Sequence, residues 1–215
     1  IAFKDATAFF DSNTVLTGNP VRQGISNGDK INGIQQFNLE NHQKTIFVFG
    51  GSQGSSYLNK MVSNVAKNIA GSGIQILWQT GDQEYSKYKS FESGQIRIVP
   101  FIHNMADAYA IADLIICRSG ALTLAEITVC GKPAILIPFS YAAGDHQTKN
   151  AQSLVDEGAA RILFETTLNT QDFLYSIMNL IKDNKELLRM SDSSRKLGKP
   201  NATNEIVDYI LEVAK

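Results

Sequence analysis

The sequence predicts an α/β protein: a doubly wound, mostly parallel sheet of six strands with helices on both faces. Three observations carry this. Short apolar runs alternate with helical patterns almost without interruption from Lys44 to Glu165, and strand-then-helix repetition implies right-handed crossovers between parallel neighbours. Four of the runs lack in/out alternation, as strands buried on both faces do. The chemically interesting residues follow strands, which is where the ligand crevice of such a sheet lies.

Taken in order, strands are expected at 45–50 (TIFVFG), 74–80 (IQILWQT), 96–99 (IRIV), 113–117 (DLIIC), 134–138 (AILIP) and 160–164 (ARILF). Helical patterns fill the intervals at 55–70, 82–91, 105–112, 122–130 and 147–157. Three more follow, at 170–182, at 185–196 and from Pro200 to Ala214, where the fixed φ of proline suits a helix opening. Residues 1–43 differ. They are polar and Asn/Gln-rich after Arg22, with one tight element at Thr17–Arg22, and are assigned no helix or strand.

Composition narrows the function classes. The chain has 215 residues, 43% apolar and 19% charged, enough to bury a sizeable core and unlike disordered or collagen-like sequences. Twenty basic against twenty-one acidic residues give a net charge of -1, without the basic excess that phosphate-backbone binding needs, so no nucleic-acid partner is expected. The longest apolar runs, such as Ile46–Phe49 and Ala134–Phe139, fall far short of the ~20 residues of a membrane span, and a soluble chain is expected. Cys117 and Cys130 lack Cys-x-x-Cys spacing and clustered histidines, and reduced core thiols are expected. The chain opens at Ile1 with neither an initiator Met nor a signal pattern, and is expected to be a piece of something longer.

Four constellations can carry chemistry. Gly50-Gly51-Ser52-Gln53-Gly54-Ser55 links the first strand to a helix; glycines permit close backbone approach, and a helix N-terminus offers free N–H groups, together a phosphate cradle. A tight turn for geometry alone is the competing reading. No Gly-Lys-Ser/Thr follows, so this is not a triphosphatase loop. The second strand ends Trp78-Gln79-Thr80, without the acidic residue a nicotinamide ribose wants. After the fourth strand, Arg118-Ser119-Gly120-Ala121 opens a second helix with Glu126 one turn in. A carboxylate there suits a vicinal ribose diol, although alone it would simply complement the helix dipole. Past the fifth strand, Gln147 and Asn150 share a helix face and can address sugar hydroxyls, against the plainer reading of an Asp145 N-cap on a polar helix start. His146 beside Asp145 is read as a surface or positioning residue, because adjacent helical residues do not face one another. Finally, Phe101-Ile102 follows the third strand and can flank a flat base, although core packing is the plainer reading, and Arg22 can place a guanidinium on a diphosphate, against the plainer reading of a solvated arginine.

These motifs together resemble the carboxyl-terminal domain of the MurG-type N-acetylglucosaminyltransferases of peptidoglycan synthesis. The residues that carry the resemblance are Gly18-Asn19-Pro20-Val21-Arg22, Gly50-Gly51-Ser52-Gln53-Gly54, Phe101-Ile102, Arg118-Ser119-Gly120-Ala121-Leu122-Thr123 through Glu126, Pro138-Phe139, Asp145-His146-Gln147-Thr148-Lys149-Asn150-Ala151 and Pro200-Asn201-Ala202-Thr203. They span essentially the whole chain. The resemblance implies the Rossmann-like, donor-binding half of a two-domain GT-B glycosyltransferase. Residues 1–43 would then be a leading segment and interdomain connection, 44–199 the UDP-sugar domain, and 200–215 a helix crossing back to an amino-terminal domain. That helix would show an apolar face with little to bury it, at Ile206, Tyr209, Ile210 and Val213.

The resemblance also implies roles. Arg22 and Ser52, with the Gly50, Gly51 and Gly54 loop, would meet the diphosphate of UDP-N-acetylglucosamine. The backbone of Ile102 would pair with uracil. Ala121, Leu122, Thr123, Leu124, Ala125 and Glu126 would line nucleotide and sugar, with Glu126 on the ribose. Gln147 and Asn150 would read sugar hydroxyls. The implied reaction moves N-acetylglucosamine to the lipid-linked muramyl-pentapeptide (lipid I) with inversion. Its general base and the acceptor and membrane contacts would belong to the other domain, at the cytoplasmic face of the inner membrane. No Asp-x-Asp pair occurs, in keeping with the metal-independent habit of GT-B enzymes, so neither metal nor cofactor is expected. Three alternatives stay open: a lipid galactosyltransferase-type enzyme, a non-catalytic nucleotide-sugar-binding subunit, and a sugar-nucleotide epimerase on the same architecture.

Overall fold

A computed structural model describes residues 1, 2, 7, 10, 11 and 14–214; much of the opening of the expected 1–43 segment lies outside the described residues. Six strands, β1 (Thr45–Phe49), β2 (Gln75–Gln79), β3 (Ile96–Val99), β4 (Leu114–Cys117), β5 (Ala134–Leu136) and β6 (Ala160–Ile162), form one sheet in the order β3-β2-β1-β4-β5-β6. Every pairing in it is parallel. β1, β2, β4 and β5 are buried at every position, the four-strand signature of a sheet covered on both faces.

Two apolar clusters fill the two faces. Ile46, Val48, Ile76 and Trp78 point into the one that holds α2 (Ser56–Gly71) and α7 (Thr170–Lys182), with Leu58, Val65, Phe173 and Ile177 at its centre. Phe47, Phe49, Leu77 and Ile115 point into the other, against α4 (Met105–Ile111), α5 (Ala121–Val129) and α6 (His146–Asp156). The period-2 alternation of a strand splits each run between the two clusters. Three further helices are α3 (Asp82–Tyr88), α8 (Asn184–Leu197) and α9 (Ala202–Val213). α8 joins the faces: Leu187 and Met190 enter the first cluster, while the Ser194 hydroxyl donates to Ile127 O on α5.

The leading segment contains a helix that the sequence reading did not assign, α1 (Lys30–Phe37). Its signals are short but complete. The Asp29 carboxylate accepts from Ile31 N and Asn32 N at the start, and Asn38 closes the end in the left-handed region with φ 49°. The helix packs on α4, and Phe37, Leu39 and Ile25 join the second cluster. Close approach is what Gly28 and Gly33 permit. A Cβ at Gly28 would meet Ala106 O at 2.0 Å, and one at Gly33 would meet Ile111 Cγ2 at 2.6 Å. The chain from Ile25 onward is thus part of the core, and not only a connection.

Cys117, in β4, and Cys130, just past α5, are free. Burial raises both thiols, that of Cys130 to about 12, which keeps them protonated and inert. α9 leaves Tyr209, Ile210, Leu211 and Val213 exposed, Val213 at 72%, and among the described residues no helix is long and apolar enough to cross a membrane.

The docking of α1 is testable. Gly28→Ala is expected to cost about 1–3 kcal/mol in urea unfolding, because a backbone carbonyl cannot yield to the new methyl. Gly71→Ala, where a Cβ meets nothing within 4 Å, should be neutral or stabilising by up to about 1 kcal/mol.

Candidate donor-nucleotide site

The parallel register ends the central strands level with one another: Phe49 lies opposite both Gln79 and Cys117, and Gln79 opposite Val99. The segments that follow, 50–55, 80–81, 100–104 and 118–120, therefore share one rim. The sheet order reverses between β1 and β4, so the crevice at their carboxyl ends is the topological switch point where open α/β sheets bind ligands. It has a volume of about 230 Å³ and is walled by Arg22, Gly51, Ser52, Phe101, Ile102 and Glu126, with Phe49 and Gln79 at its floor.

The glycine loop divides its labour. A Cβ at Gly50 would meet Ser55 N at 2.4 Å and one at Gly54 would meet Thr80 O at 2.1 Å, so these two glycines serve close packing of loop, helix and neighbouring strand. Only Gly51, with φ +96° and nothing within 4 Å of its would-be Cβ, opens on the crevice. Ser55 caps α2 by accepting from Leu58 N.

Glu126 is 3% exposed yet fully partnered. Its Oε1 accepts from Arg22 Nε and its Oε2 from the Tyr109 hydroxyl, each at 3.0 Å. Burial first, then the Glu126 carboxylate, pushes the Tyr109 phenol well above its ordinary value, so it stays a proton donor to Glu126. Arg22 is half-exposed, at 51%. The crevice thus has a cation and an anion paired across its mouth, 104 residues apart in sequence.

The other expected residues are placed as follows. Leu122, Thr123 and Glu126 line the crevice, whereas Leu124 and Ala125 do not. They line a larger groove of about 400 Å³ with Gly18, Asn19, Leu154 and Lys199. That groove, lined also by Asp156, Glu157 and Lys196, lies away from the carboxyl ends of the strands, and the crevice at the switch point is the better candidate despite its smaller size. Ala121 sits at the first turn of α5, half-buried and outside the crevice wall. Ile102 is buried, and its N–H donates to Gln79 Oε1 at 2.9 Å. Gln147 and Asn150 are half-buried at the start of α6 and engaged with loops. Gln147 Oε1 accepts from Phe139 N at 3.0 Å, and Asn150 Nδ2 donates to Ser119 O at 3.3 Å. Asp145 ends the 3-10 turn at 143–145 and stands at the N-cap position of α6 with φ 54°, but its side chain makes no capping bond, so the N-cap reading is corrected to a position without the bond. His146 is exposed, with Nδ1 2.7 Å from Ala143 O.

Three residues outside the sequence reading's site organise this rim. Gln79, at the end of β2, bonds both Ile102 N and Gly51 O. Tyr109 supports Glu126. Arg118, quoted only as part of a motif, is buried and donates to Ser55 Oγ (3.1 Å), Ile137 O (3.1 Å), Pro138 O (2.9 Å) and Glu165 Oε2 (2.7 Å). One guanidinium thereby joins the start of α2 to the segments after β5 and β6. An arginine directly after a buried strand was the available signal; Glu165, 47 residues away, had none. No group of three or more His, Cys, Asp or Glu side chains arranged for a metal occurs among the described residues.

A parallel sheet in this order, with a crevice at its switch point lined by a glycine loop, an arginine and a buried carboxylate, defines an α/β domain of Rossmann-like type. Residues 45–206 match the glycosyltransferase family 28 C-terminal domain, and the chain belongs to that family. Curated relatives include the UDP-N-acetylglucosamine--N-acetylmuramyl-(pentapeptide) pyrophosphoryl-undecaprenol N-acetylglucosamine transferase of Christiangramia forsetii. It is 37% identical over 199 residues, 92% of this chain and 54% of the relative. The enzyme of the same name from Halothermothrix orenii is 39% identical over 227 residues, 99% of this chain and 61% of the relative. A crystal structure of Acinetobacter baumannii MurG superposes with a TM-score of 0.81 at 29% identity, covering 98% of this chain and 59% of that one. The chain spans between half and two thirds of the length of these relatives.

The Arg118–Glu165 pair, with side chains 10% and 15% exposed, should matter for stability. Glu165→Ala is expected to cost about 2–4 kcal/mol by urea unfolding, since it strands a buried cation. Asp192→Ala, which breaks the solvent-exposed pair with Arg195, should cost under about 1 kcal/mol.

Proposed function

We propose that this chain is the donor-binding half of an inverting glycosyltransferase that moves N-acetylglucosamine from UDP-N-acetylglucosamine to lipid-linked N-acetylmuramyl-pentapeptide, converting lipid I to lipid II in peptidoglycan synthesis. The observation that carries the reading is the Arg22–Glu126 pair over the glycine loop, in a chain aligned nearly end to end with transferases of that name. A cation and a buried carboxylate at one crevice suit the two polar parts of a nucleoside diphosphate, its phosphates and its ribose diol.

On this reading donor binding exchanges partners. Glu126 Oε1 turns from Arg22 Nε to a ribose hydroxyl, while Oε2 stays held by Tyr109. The freed guanidinium meets the diphosphate beside Ser52 and Gly51. Ile102 offers backbone to the uracil edge, Leu122 and Thr123 border the nucleotide, and Gln147 and Asn150 address the sugar hydroxyls. During transfer negative charge grows on the departing UDP, and preorganised N–H groups with Arg22 stabilise it. The donor is the substrate, with no separate cofactor in the proposal. The general base and the acceptor and membrane contacts belong to a preceding domain at the cytoplasmic face of the inner membrane. The exposed apolar residues of α9, Tyr209, Ile210 and Val213, are the surface on which that domain would rest. Likeness to UDP-N-acetylglucosamine 2-epimerases, such as that of Neisseria meningitidis at 14% identity and a TM-score of 0.59, concerns the fold alone.

Two measurements test the proposal. By titration calorimetry, Glu126→Ala should weaken UDP binding by about 1–3 kcal/mol, as expected for a lost hydrogen bond to a charged group, with thermal melts run alongside; unchanged affinity returns Glu126 to a structural role. UDP-N-acetylglucosamine should bind the chain more tightly than UDP-galactose, and the chain alone should transfer nothing to lipid I. Equal affinities would favour a transferase of different donor choice, and transfer by these 215 residues would overturn the half-site reading.

A further inference from the structure

Two of the loops that wall the crevice are tied to one another by a single side chain. Gln79, the last residue of β2, is 2% exposed and uses its amide in both directions. Its Oε1 accepts from Ile102 N at 2.9 Å and its Nε2 donates to Gly51 O at 3.1 Å. Because one neighbour is a donor and the other an acceptor, the amide has one orientation that satisfies both. In the sheet Gln79 lies opposite Phe49 and Val99, midway between the loop after β1 and the loop after β3. Buried in the crevice floor, it is shielded from water that would otherwise compete for these bonds.

We propose that Gln79 is the positioning residue that sets nucleotide specificity: it fixes the spacing between the diphosphate loop and the base-reading loop. This rests on the reading of the crevice as a uridine diphosphate site. At Gly51 the carbonyl accepts twice: from Gly54 N at 3.2 Å within the loop, and from Gln79 Nε2, the bond that ties the loop to the sheet. Ile102 is held the other way round. With its N–H committed to Gln79, its carbonyl is the backbone group left to meet a base edge. An acceptor there complements the N3–H of uracil, which cytosine lacks. A glutamine therefore does two separable things, one by donating and one by accepting, and a carboxylate in its place could do only the second.

The experiment compares UDP with CDP by titration calorimetry on the 215-residue chain and three variants, with a thermal melt of each. Gln79→Ala should bind UDP at least about tenfold more weakly, on the scale of one to two lost hydrogen bonds, and its preference for UDP over CDP should fall towards one. Gln79→Glu should also weaken UDP at least about tenfold, because it sets a carboxylate against the Gly51 carbonyl beside the phosphates, yet keep the UDP-over-CDP ratio. Gln75→Ala is the control. Gln75 is buried on the same strand at its other end and bonds Glu40 N and Glu40 O, so its loss should lower the melting temperature while leaving both affinities unchanged. Wild-type affinity and ratio in Gln79→Ala, the same pattern in both Gln79 variants, or an equal loss in Gln75→Ala would overturn the proposal. If Gln79→Ala does not fold, the ratio in Gln79→Glu decides. Failure of the wild-type chain to bind UDP would overturn the site reading itself, a result distinct from binding that ignores Gln79.

Discussion

The carboxyl rim of the sheet depends on one buried cation. Arg118 leaves β4 at the switch point and spends its guanidinium on the α2 cap, two carbonyls beyond β5 and the Glu165 carboxylate. Tyr57 and Phe139 flank it, their ring centroids 5.6 and 5.5 Å from its Cζ. Parallel strands deliver their loops to a common edge, but loops are held there only if their polar groups find partners away from water. Arg118 supplies these on the β4–β6 side. Gln79 does so on the β1–β3 side, with a neutral amide in place of a charge.

Between these two fixed sides sits a pair that is arranged to change. Glu126 is buried but Arg22 is half-exposed, so their ion pair has one anchored and one adjustable member. Tyr109 keeps the anchored carboxylate in place from below, and the aromatic cluster of Phe47, Phe49 and Tyr109 keeps Tyr109 in place in turn. A ligand that satisfies Glu126 as well as Arg22 does, and Arg22 as well as Glu126 does, can enter at little electrostatic cost. Nucleoside diphosphates have that chemistry; a lone sugar or a lone phosphate has half of it.

Most of the fold was legible in the chain. The doubly buried strands read as unbroken apolar runs, and the observed bounds of β1 to β6 differ from the expected ones by two residues at most. α1 was not legible because its core-facing side is made of Gly33 and Phe37 in a run of Asn and Gln; its burial comes from what glycine permits, not from an apolar stripe. The site was legible in part. Arg22, Ser52, Ile102 and Glu126 all line one crevice, as do Leu122 and Thr123, while Leu124 and Ala125 of the same run line a neighbouring groove, a division that a linear motif does not display.

By itself the sequence determined which segments are strands, that they are parallel, and which loops must therefore share an edge. Periodicity and apolar continuity are local properties, and local properties survive in one dimension. The tertiary structure alone decided which polar groups satisfy one another across that edge: Arg22 with Glu126, Arg118 with Glu165, and Gln79 with both Gly51 and Ile102. Those partners lie between 23 and 104 residues apart, and hydrogen bonding demands angles and distances that no spacing along the chain encodes.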